Sequence, residues 1–269
     1  MEKIIKLRKI FKTFDLDGYI IPKNNNFFGE YVSSSEDNLK FISNFTGSAG
    51  FAVILKNRNY IFVDGRYTIQ AGIQCGKQFK ICTIPKEYPF NTFNKKNLNL
   101  GFDPKLHTEN SLNRLFKNPL IKLIPVNKNL IDLLWKREKH SNIKPFYLIE
   151  DKDAGLKVSQ KLNILLKIIK FNKVNYLFTT APENVAWLLN IRGKDTDYSP
   201  LPNAHIIVDE IGRILLFCDL KKISKFFKDK MNKKIKIYDF DLLPNFILNL
   251  SNNRILIDTL TCSIFYKEI

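Results

Sequence analysis

No Cys-x-x-Cys pair occurs anywhere in the 269 residues, and the only three histidines, His107, His140 and His205, lie far apart in sequence. Ligand spacing of the zinc type is therefore missing. Acidic side chains are also scarce: 26 Asp and Glu stand against 43 Lys and Arg, a formal charge of +17. No apolar run is long enough to span a bilayer, and the apolar N-terminus is broken by Lys3, Lys6, Arg8, Lys9 and Lys12, so it lacks the core of a signal peptide. Glycine and proline, eleven each, are too few for a collagen-like or low-complexity chain. What remains is ample for packed cores, since 45% of residues are hydrophobic and 13% aromatic. The length gives a prior of about two domains.

Such a basic chain raises nucleic acid or an anionic surface as a partner. The kind of charge argues otherwise. Only eight of the cations are arginine, the residue suited to bidentate phosphate and base contacts; the rest are lysine. Enrichment in Lys, Asn, Ile and Phe is what AT-rich codons produce, so the excess reads as diffuse solvated lysine without specific nucleic-acid recognition. The dispersed Cys75, Cys82, Cys218 and Cys262 suit a reducing compartment, although spacing leaves pairing open. The expected location is the cytoplasm.

Hydrophobic periodicity predicts a helix over Met1–Phe14, a buried strand at Gly18–Pro22, and a helix opened by a Ser34/Asp37 capping box. A hairpin follows, from Phe51–Leu55 to Tyr60–Val63, with Asp64 where strand should become helix. Strands at Phe79–Ile84, Leu98–Phe102 and Ile121–Val126 then alternate with helices at Ser111–Lys117 and Leu130–Arg137, the signature of an α/β domain. A charged stretch, 141–152, reads as a linker between domains over 1–140 and 153–269. Beyond it the order restarts: helix Leu156–Phe171, strand Val174–Phe178, a helix opened by a Thr180/Glu183 capping box, an Arg192-Gly193 turn, and a hairpin Ala204–Val208/Arg213–Cys218. The repetition is one of architecture, so two domains of one fold are expected.

Taken singly, the motifs are bland. Gly47-x-x-Gly50 enters a hairpin and reads as a tight turn with close backbone packing. Asp15-Leu16-Asp17-Gly18 is ordinary turn chemistry before a strand. Asp64-Gly65-Arg66 reads as a helix cap with an ion pair, or a carboxylate and guanidinium offered to a ligand. Trp135 and Trp187 sit among apolar helix positions and are expected in the cores.

Together they are specific. Ile20-Ile21-Pro22, Gly29-Glu30-Tyr31-Val32, Asn44-Phe45-Thr46-Gly47-Ser48-Ala49-Gly50 and Val63-Asp64-Gly65-Arg66-Tyr67 with Gln70 resemble the first domain of Xaa-Pro aminopeptidases, in the creatinase or pita-bread metallopeptidase superfamily. Asn184 to Gly193, Asp195 and Pro200-Leu201-Pro202 resemble the second domain of the longer, three-domain members, and Leu133-Leu134-Trp135 with Ala154-Gly155 and Lys157 the junction. The resemblance implies two tandem creatinase N-terminal-like α/β domains, each a mixed sheet flanked by helices. It also implies motif contacts at Glu30, Tyr31, Asp64, Arg66, Tyr67, Arg192 and Asp195. In the family, a third domain holds two divalent metals, usually manganese, and removes an N-terminal residue preceding proline. Nothing after Arg192 resembles that domain, so no catalytic residue, metal ligand or cofactor is assigned to this chain. Members often carry an Asp and a His where Asn25 and Phe27 stand, an Arg at Asn38, and an acidic residue near Pro182.

The expectation is a non-catalytic N-terminal portion from a split or degraded gene, inactive alone. Its alternatives are half of a two-chain enzyme, with the metal domain on another polypeptide, and a basic binding module. A homodimer or a separate catalytic chain would be the partner, without a membrane. The second domain reads as incomplete. Its apolar stretch Phe240, Leu242, Leu243, Phe246, Ile247, Leu248 and Leu250 is accordingly expected to lack part of its cover and to leave the domain marginally stable.

Overall fold

The structure is a computed structural model that describes residues 2–94, 97–137, 143–196, 198–231 and 234–269. Met1, and residues 138–142 with His140 and the start of the expected linker, lie outside the described residues. The chain forms two compact units, one of Met1–Asn26 with Ser34–Lys139, the other of Phe27–Ser33 with His140–Ile269. The short segment Phe27–Ser33 thus belongs with the second half although it lies within the first in sequence.

In the first unit the order is α1 (Glu2–Phe11), β1 (Gly18–Pro22), α2 (Asn38–Ser43), β2 (Phe51–Leu55), β3 (Asn59–Asp64), α3 (Thr68–Cys75), β4 (Lys80–Ile84), α4 (Pro89–Thr92), β5 (Leu98–Phe102), α5 (Glu109–Phe116) and β6 (Ile121–Pro125). Helix α1 buries Ile4, Leu7 and Phe11, one stripe at helical spacing. The strands form one mixed sheet, β4-β3-β2-β1-β5-β6. Because helices cover both faces, β1 to β3 are almost continuously buried, and alternation splits them between two cores. Tyr19, Ile21, Ala52 and Ile54 meet Leu7, Phe11 and Leu39 on one side. On the other, Phe51 stacks on Phe62 at 4.9 Å and meets Phe116 at 5.9 Å.

Two local expectations change here. Asp37 is itself the N-cap of α2, accepting from the Lys40 N–H at 2.9 Å, so the helix begins three residues later than a Ser34 cap would place it. Leu130–Leu134 is a run of turns rather than a helix, and Leu130 and Ile131 are fully buried.

The second unit runs β7 (Tyr147–Leu148), α6 (Asp151–Ala154), α7 (Val158–Phe171), β8 (Tyr176–Thr179), α8 (Pro182–Leu189), β9 (Ile191–Arg192), β10 (Ala204–Asp209), β11 (Ile214–Cys218), α9 (Lys225–Lys230), β12 (Ile235–Asp239), α10 (Leu243–Leu248), β13 (Ile255–Ile257) and α11 (Ile264–Glu268). Within the expected linker, Phe146 is buried and β7 pairs with β9, so residues from Phe146 onward are part of this unit. The main sheet is β12-β11-β10-β8-β13. Its pairings reproduce those of β4-β3-β2-β1-β5 strand for strand, parallel at both ends and antiparallel between. The repeat is therefore topological.

Helix α8 lacks the Thr180/Glu183 box. Its N-cap is Ala181 without a side-chain bond, and Pro182 occupies the first turn, where its missing N–H costs nothing. Thr180 Oγ1 instead lies 3.2 Å from Thr261 Oγ1. The expected exposure near the C-terminus is also corrected. Leu243, Ile247 and Leu250 are buried with Phe178, Ile207, Phe217 and Tyr266, so α10 and α11 themselves cover that face of the sheet; only Leu242 and Leu248 in that stretch stand half exposed.

Candidate functional site

In the first unit the Asn44–Gly50 and Asp64–Tyr67 motifs make one junction. Asn44 ends α2 in the left-handed conformation, which turns the chain so that Phe45 is fully buried. A Cβ on Gly47 would lie 2.3 Å from the Phe45 ring, and one on Gly50 would lie 2.9 Å from the Phe62 carbonyl, so the loop needs both glycines. Thr46 is clamped to α3: its N–H donates to Gln74 Oε1 (2.9 Å), while Gln70 and Gln74 donate to its hydroxyl at 3.0 and 2.8 Å. Ser48 and Tyr67 hydroxyls are 2.8 Å apart, and Phe45 meets the Tyr67 ring edge-on at 5.8 Å. Asp64 caps the following turn by accepting from the Arg66 N–H (2.8 Å) and also pairs with the Arg66 guanidinium (2.7 Å). Those Arg66 hydrogen bonds hold the Asp64 carboxyl below the usual carboxylate range. Cap and ion pair are thus one device, and the Arg66 side chain, 76% exposed, is presented outward.

The remaining motif residues lie in the second unit. Glu30 and Tyr31 are exposed on the Phe27–Ser33 segment, where Tyr31 meets the Tyr198 ring at 5.7 Å. Arg192 follows α8 and donates to the Ala186 carbonyl at 3.1 Å, one of the groups that the helix end leaves open, and to the Ile191 carbonyl at 2.8 Å. Asp195 is nearly buried, paired with Lys222 and accepting from the Asn203 N–H at 2.6 Å. Gly193 lets the Pro-rich loop close over it: a Cβ there would sit 2.7 Å from the Leu201 carbonyl and 2.8 Å from Pro202 Cα. Asp64, Arg66 and Tyr67 are therefore brought together, as are Glu30 with Tyr31. Arg192 and Asp195 shape one loop through separate partners.

Other groups had no signal in the spacing. Asn25, Glu36, Asn38, Asp103, Asp132 and Arg137, from separated stretches, line a polar cleft of about 330 Å³ in the first unit. Arg137 pairs with Asp132 and donates to the Ser35 carbonyl and Asn38 Oδ1, each at 2.7 Å. Burial raises the Asp103 carboxyl to about 6. In the second unit, Lys161 is 1% exposed; it donates to the Trp187 carbonyl (2.6 Å) and Asn190 Oδ1 (2.5 Å). Burial and the nearby Arg192 charge lower its pKa. Trp187, expected in the core, is 45% exposed with this ammonium 4.8 Å from its ring centroid. Trp135 is half-buried and stacks on Phe41 at 4.7 Å.

His205 is enclosed by Phe27, Phe240, Tyr266 and Phe178, with ring centroids 5.1, 5.1, 5.6 and 5.9 Å away. Burial lowers its pKa to about 4, which leaves a neutral ring in an aromatic cage. Phe27, one of the departures from the family pattern, supplies one wall. All four cysteines are free and buried, with burial pushing the thiols up to about 11 or 12. Among the described residues, no group of three or more His, Cys, Asp or Glu could hold a metal ion. Buried His107 and His205 are isolated in different units, so these donors do not fit a two-metal centre. No helix of the described residues is long and apolar enough to cross a membrane.

Two family models, both described as the creatinase/prolidase N-terminal domain, match residues 3–133 and 137–269. The chain belongs to the creatinase/prolidase N-terminal domain family. It holds two tandem copies of that α/β domain, each a mixed sheet flanked by helices, which accounts for the shared strand order. Among curated relatives, a probable Xaa-Pro aminopeptidase P of Coprinopsis cinerea is 29% identical over 259 residues, covering 93% of this chain and 42% of that protein. Aminopeptidase P1 of Lotus japonicus is 32% identical over 225 residues, covering 81% and 34%. The solved X-prolyl aminopeptidase of Caenorhabditis elegans, described as a cytosolic enzyme with a di-nuclear active site, superposes with a TM-score of 0.84 at 26% identity, covering 92% of this chain and 43% of that one. The chain thus spans less than half the length of each of these three relatives.

Proposed function

We propose that the chain is the non-catalytic N-terminal portion of an Xaa-Pro aminopeptidase-like protein, bordering the mouth of a metal-dependent catalytic domain and limiting entry to peptides. The observation that carries this reading is the collinear match: 92% of the chain superposes on an X-prolyl aminopeptidase and covers 43% of it, through models that are both N-terminal domains. In this reading the two modules are the two compact units, the second of which takes in β7 and the segment Phe27–Ser33. In the first unit exposed Arg66 is a contact to the catalytic domain on the loop that Asp64 and Tyr67 fix; in the second, exposed Glu30 and Tyr31 are such contacts, and Arg192 and Asp195 shape the neighbouring loop. Removal of a residue ahead of proline, and the two divalent metals, belong to the catalytic domain, whichever polypeptide holds it. The partner is that domain or a second copy of this chain, and proline-containing peptides bind only with the metal domain in place. The cytosolic description of the Caenorhabditis relative supports a cytoplasmic location. The lysine-rich charge supports no specific nucleic acid.

The test is turnover of an Xaa-Pro peptide by the purified chain with manganese. No release of the first residue is expected, because two-metal hydrolysis needs ligands for both ions. Turnover that survives a control for contaminating host peptidase overturns the reading.

A further inference from the structure

Arg66, Arg137 and Arg213 are each neutralised by a carboxylate, of Asp64, Asp132 and Asp209 in turn. Arg8, half-buried on α1, is held differently. Its Nε donates to the Leu55 carbonyl at 2.8 Å and its Nη2 to Asn59 Oδ1 at 2.7 Å, both neutral oxygens, and among the described residues no carboxylate pairs with it. Asn59 is 9% exposed and extends the chain of bonds, its Nδ2 donating to the Gln78 carbonyl at 2.8 Å. Helix α1, the β2–β3 hairpin and the turn after α3 are thereby fixed around one guanidinium. Burial lowers its pKa, because it disfavours a charge drawn out of water. A cleft of about 520 Å³, within the size range of small-molecule sites, opens over this frame. Arg8, Arg58, Lys77 and Lys80 line it, with buried Ile4 and Phe79 among its walls, and no described acidic side chain does so. Lys80 keeps an ion pair with Glu87 at 2.9 Å, whereas Arg58 and Lys77 are exposed and have no ion-pair partner among the described residues.

We propose that this cleft binds a small polyphosphorylated anion, either free polyphosphate or a nucleoside polyphosphate. Arg8, Arg58 and Lys77 bring positive charge to one space without a carboxylate to balance it, so a multivalent anion relieves their mutual repulsion and the half-buried guanidinium together. A lone carboxylate offsets one of these charges. A polyphosphate offsets several, and its paired oxygens match the donor fork of a guanidinium, which Arg8 already holds in a fixed orientation through two of its nitrogens. Two of the eight arginines thus sit where phosphate recognition needs them, although the lysine excess over the rest of the chain is diffuse. The site lies wholly in the first unit and does not depend on a catalytic partner.

The experiment is calorimetric titration of the full chain with inorganic tripolyphosphate and with ADP, at about 0.15 M salt, where a Debye length of about 8 Å screens scattered surface charge. Binding of one ligand per chain with a Kd below about 1 mM is expected. Tighter binding of ADP assigns the apolar wall to a nucleoside, and equal or tighter binding of tripolyphosphate assigns the site to the phosphates alone; both support the proposal. Arg58→Glu combined with Lys77→Glu should weaken the better ligand about tenfold or more. Arg114→Glu combined with Lys117→Glu makes the same charge change at exposed positions at the end of α5, across the sheet from α1, and should alter its Kd by less than about twofold. All four substituted side chains are exposed, and circular dichroism confirms folding of each variant. No binding of either ligand at millimolar concentration, several ligands bound per chain, or an equal loss in the two double variants overturns the proposal.

Discussion

Acidification from pH 7 to pH 5 is expected to weaken the second unit more than the first. His205 sits inside four rings, and burial lowers its pKa from 6.5 to about 4. The unfolded chain therefore takes up a proton that the folded unit excludes. The associated stability is intact above pH 6.5 and is lost as pH falls toward 4; between pH 7 and 5 the loss is about 2 kcal/mol. In the first unit, burial lowers His107 to about 3, with the same sign and a similar loss over this interval. There Asp103 works in reverse. Its pKa is raised by burial from 3.8 to about 6, so the folded carboxyl gains its proton first and gives about 1 kcal/mol back by pH 5. The net losses are about 2 kcal/mol in the second unit and under about 1 kcal/mol in the first. Trp135 and Trp187 fall in different units and report them separately. Urea unfolding of Trp135→Phe follows the second unit and that of Trp187→Phe the first, each at both pH values. His205→Leu in the Trp135→Phe background should abolish most of the excess acid sensitivity. Equal shifts for both probes, or a full shift persisting in His205→Leu, would refute the argument.

Phe27→Ala should destabilise the unit reported by Trp187 and leave the one reported by Trp135 unchanged; it removes a wall of the His205 cage, at a cost of about 2 kcal/mol for a half-buried ring. Gly193→Ala should lower the same unit's unfolding midpoint, because the new methyl meets backbone at 2.7 Å, an overpacking cost of about 1–3 kcal/mol. The thiols should stay unreactive toward a disulfide reagent at pH 8 until urea unfolds the chain, since all four are buried and burial raises their pKa values. Rapid labelling of the native protein contradicts that.

Strands and hairpins were legible because continuous apolar runs such as Phe51–Leu55 bounded by turns have few alternative readings. The repeat was legible as element order, and the pairing pattern followed from it. Helix starts were less so. Thr180 and Glu183 have capping-box spacing, yet Pro182 between them sets the first turn, and Thr180 finds a partner from far along the chain. Trp187 lies among apolar helix positions yet is 45% exposed, with the Lys161 ammonium against its ring, a contact between α7 and α8 that local spacing does not encode. The Asp64–Tyr67 junction could be read locally, since cap and ion pair involve neighbours. The His205 cage could not. Its walls come from Phe27, Phe178, Phe240 and Tyr266, and no spacing links residues so widely separated.

The assignment of Phe27–Ser33 to the second unit bears on how the chain is made. Synthesis delivers this segment early, before any of His140–Ile269 has left the ribosome. N-terminal domains commonly fold as they emerge, at about 5–20 residues per second. Here the first unit can close around β1 and α2 only with the intervening loop held out, its Phe27 side chain waiting for the ring cage to be synthesised. The two units are consequently not independent translational modules. The second reaches its native packing by capturing a piece of chain that the first has already presented.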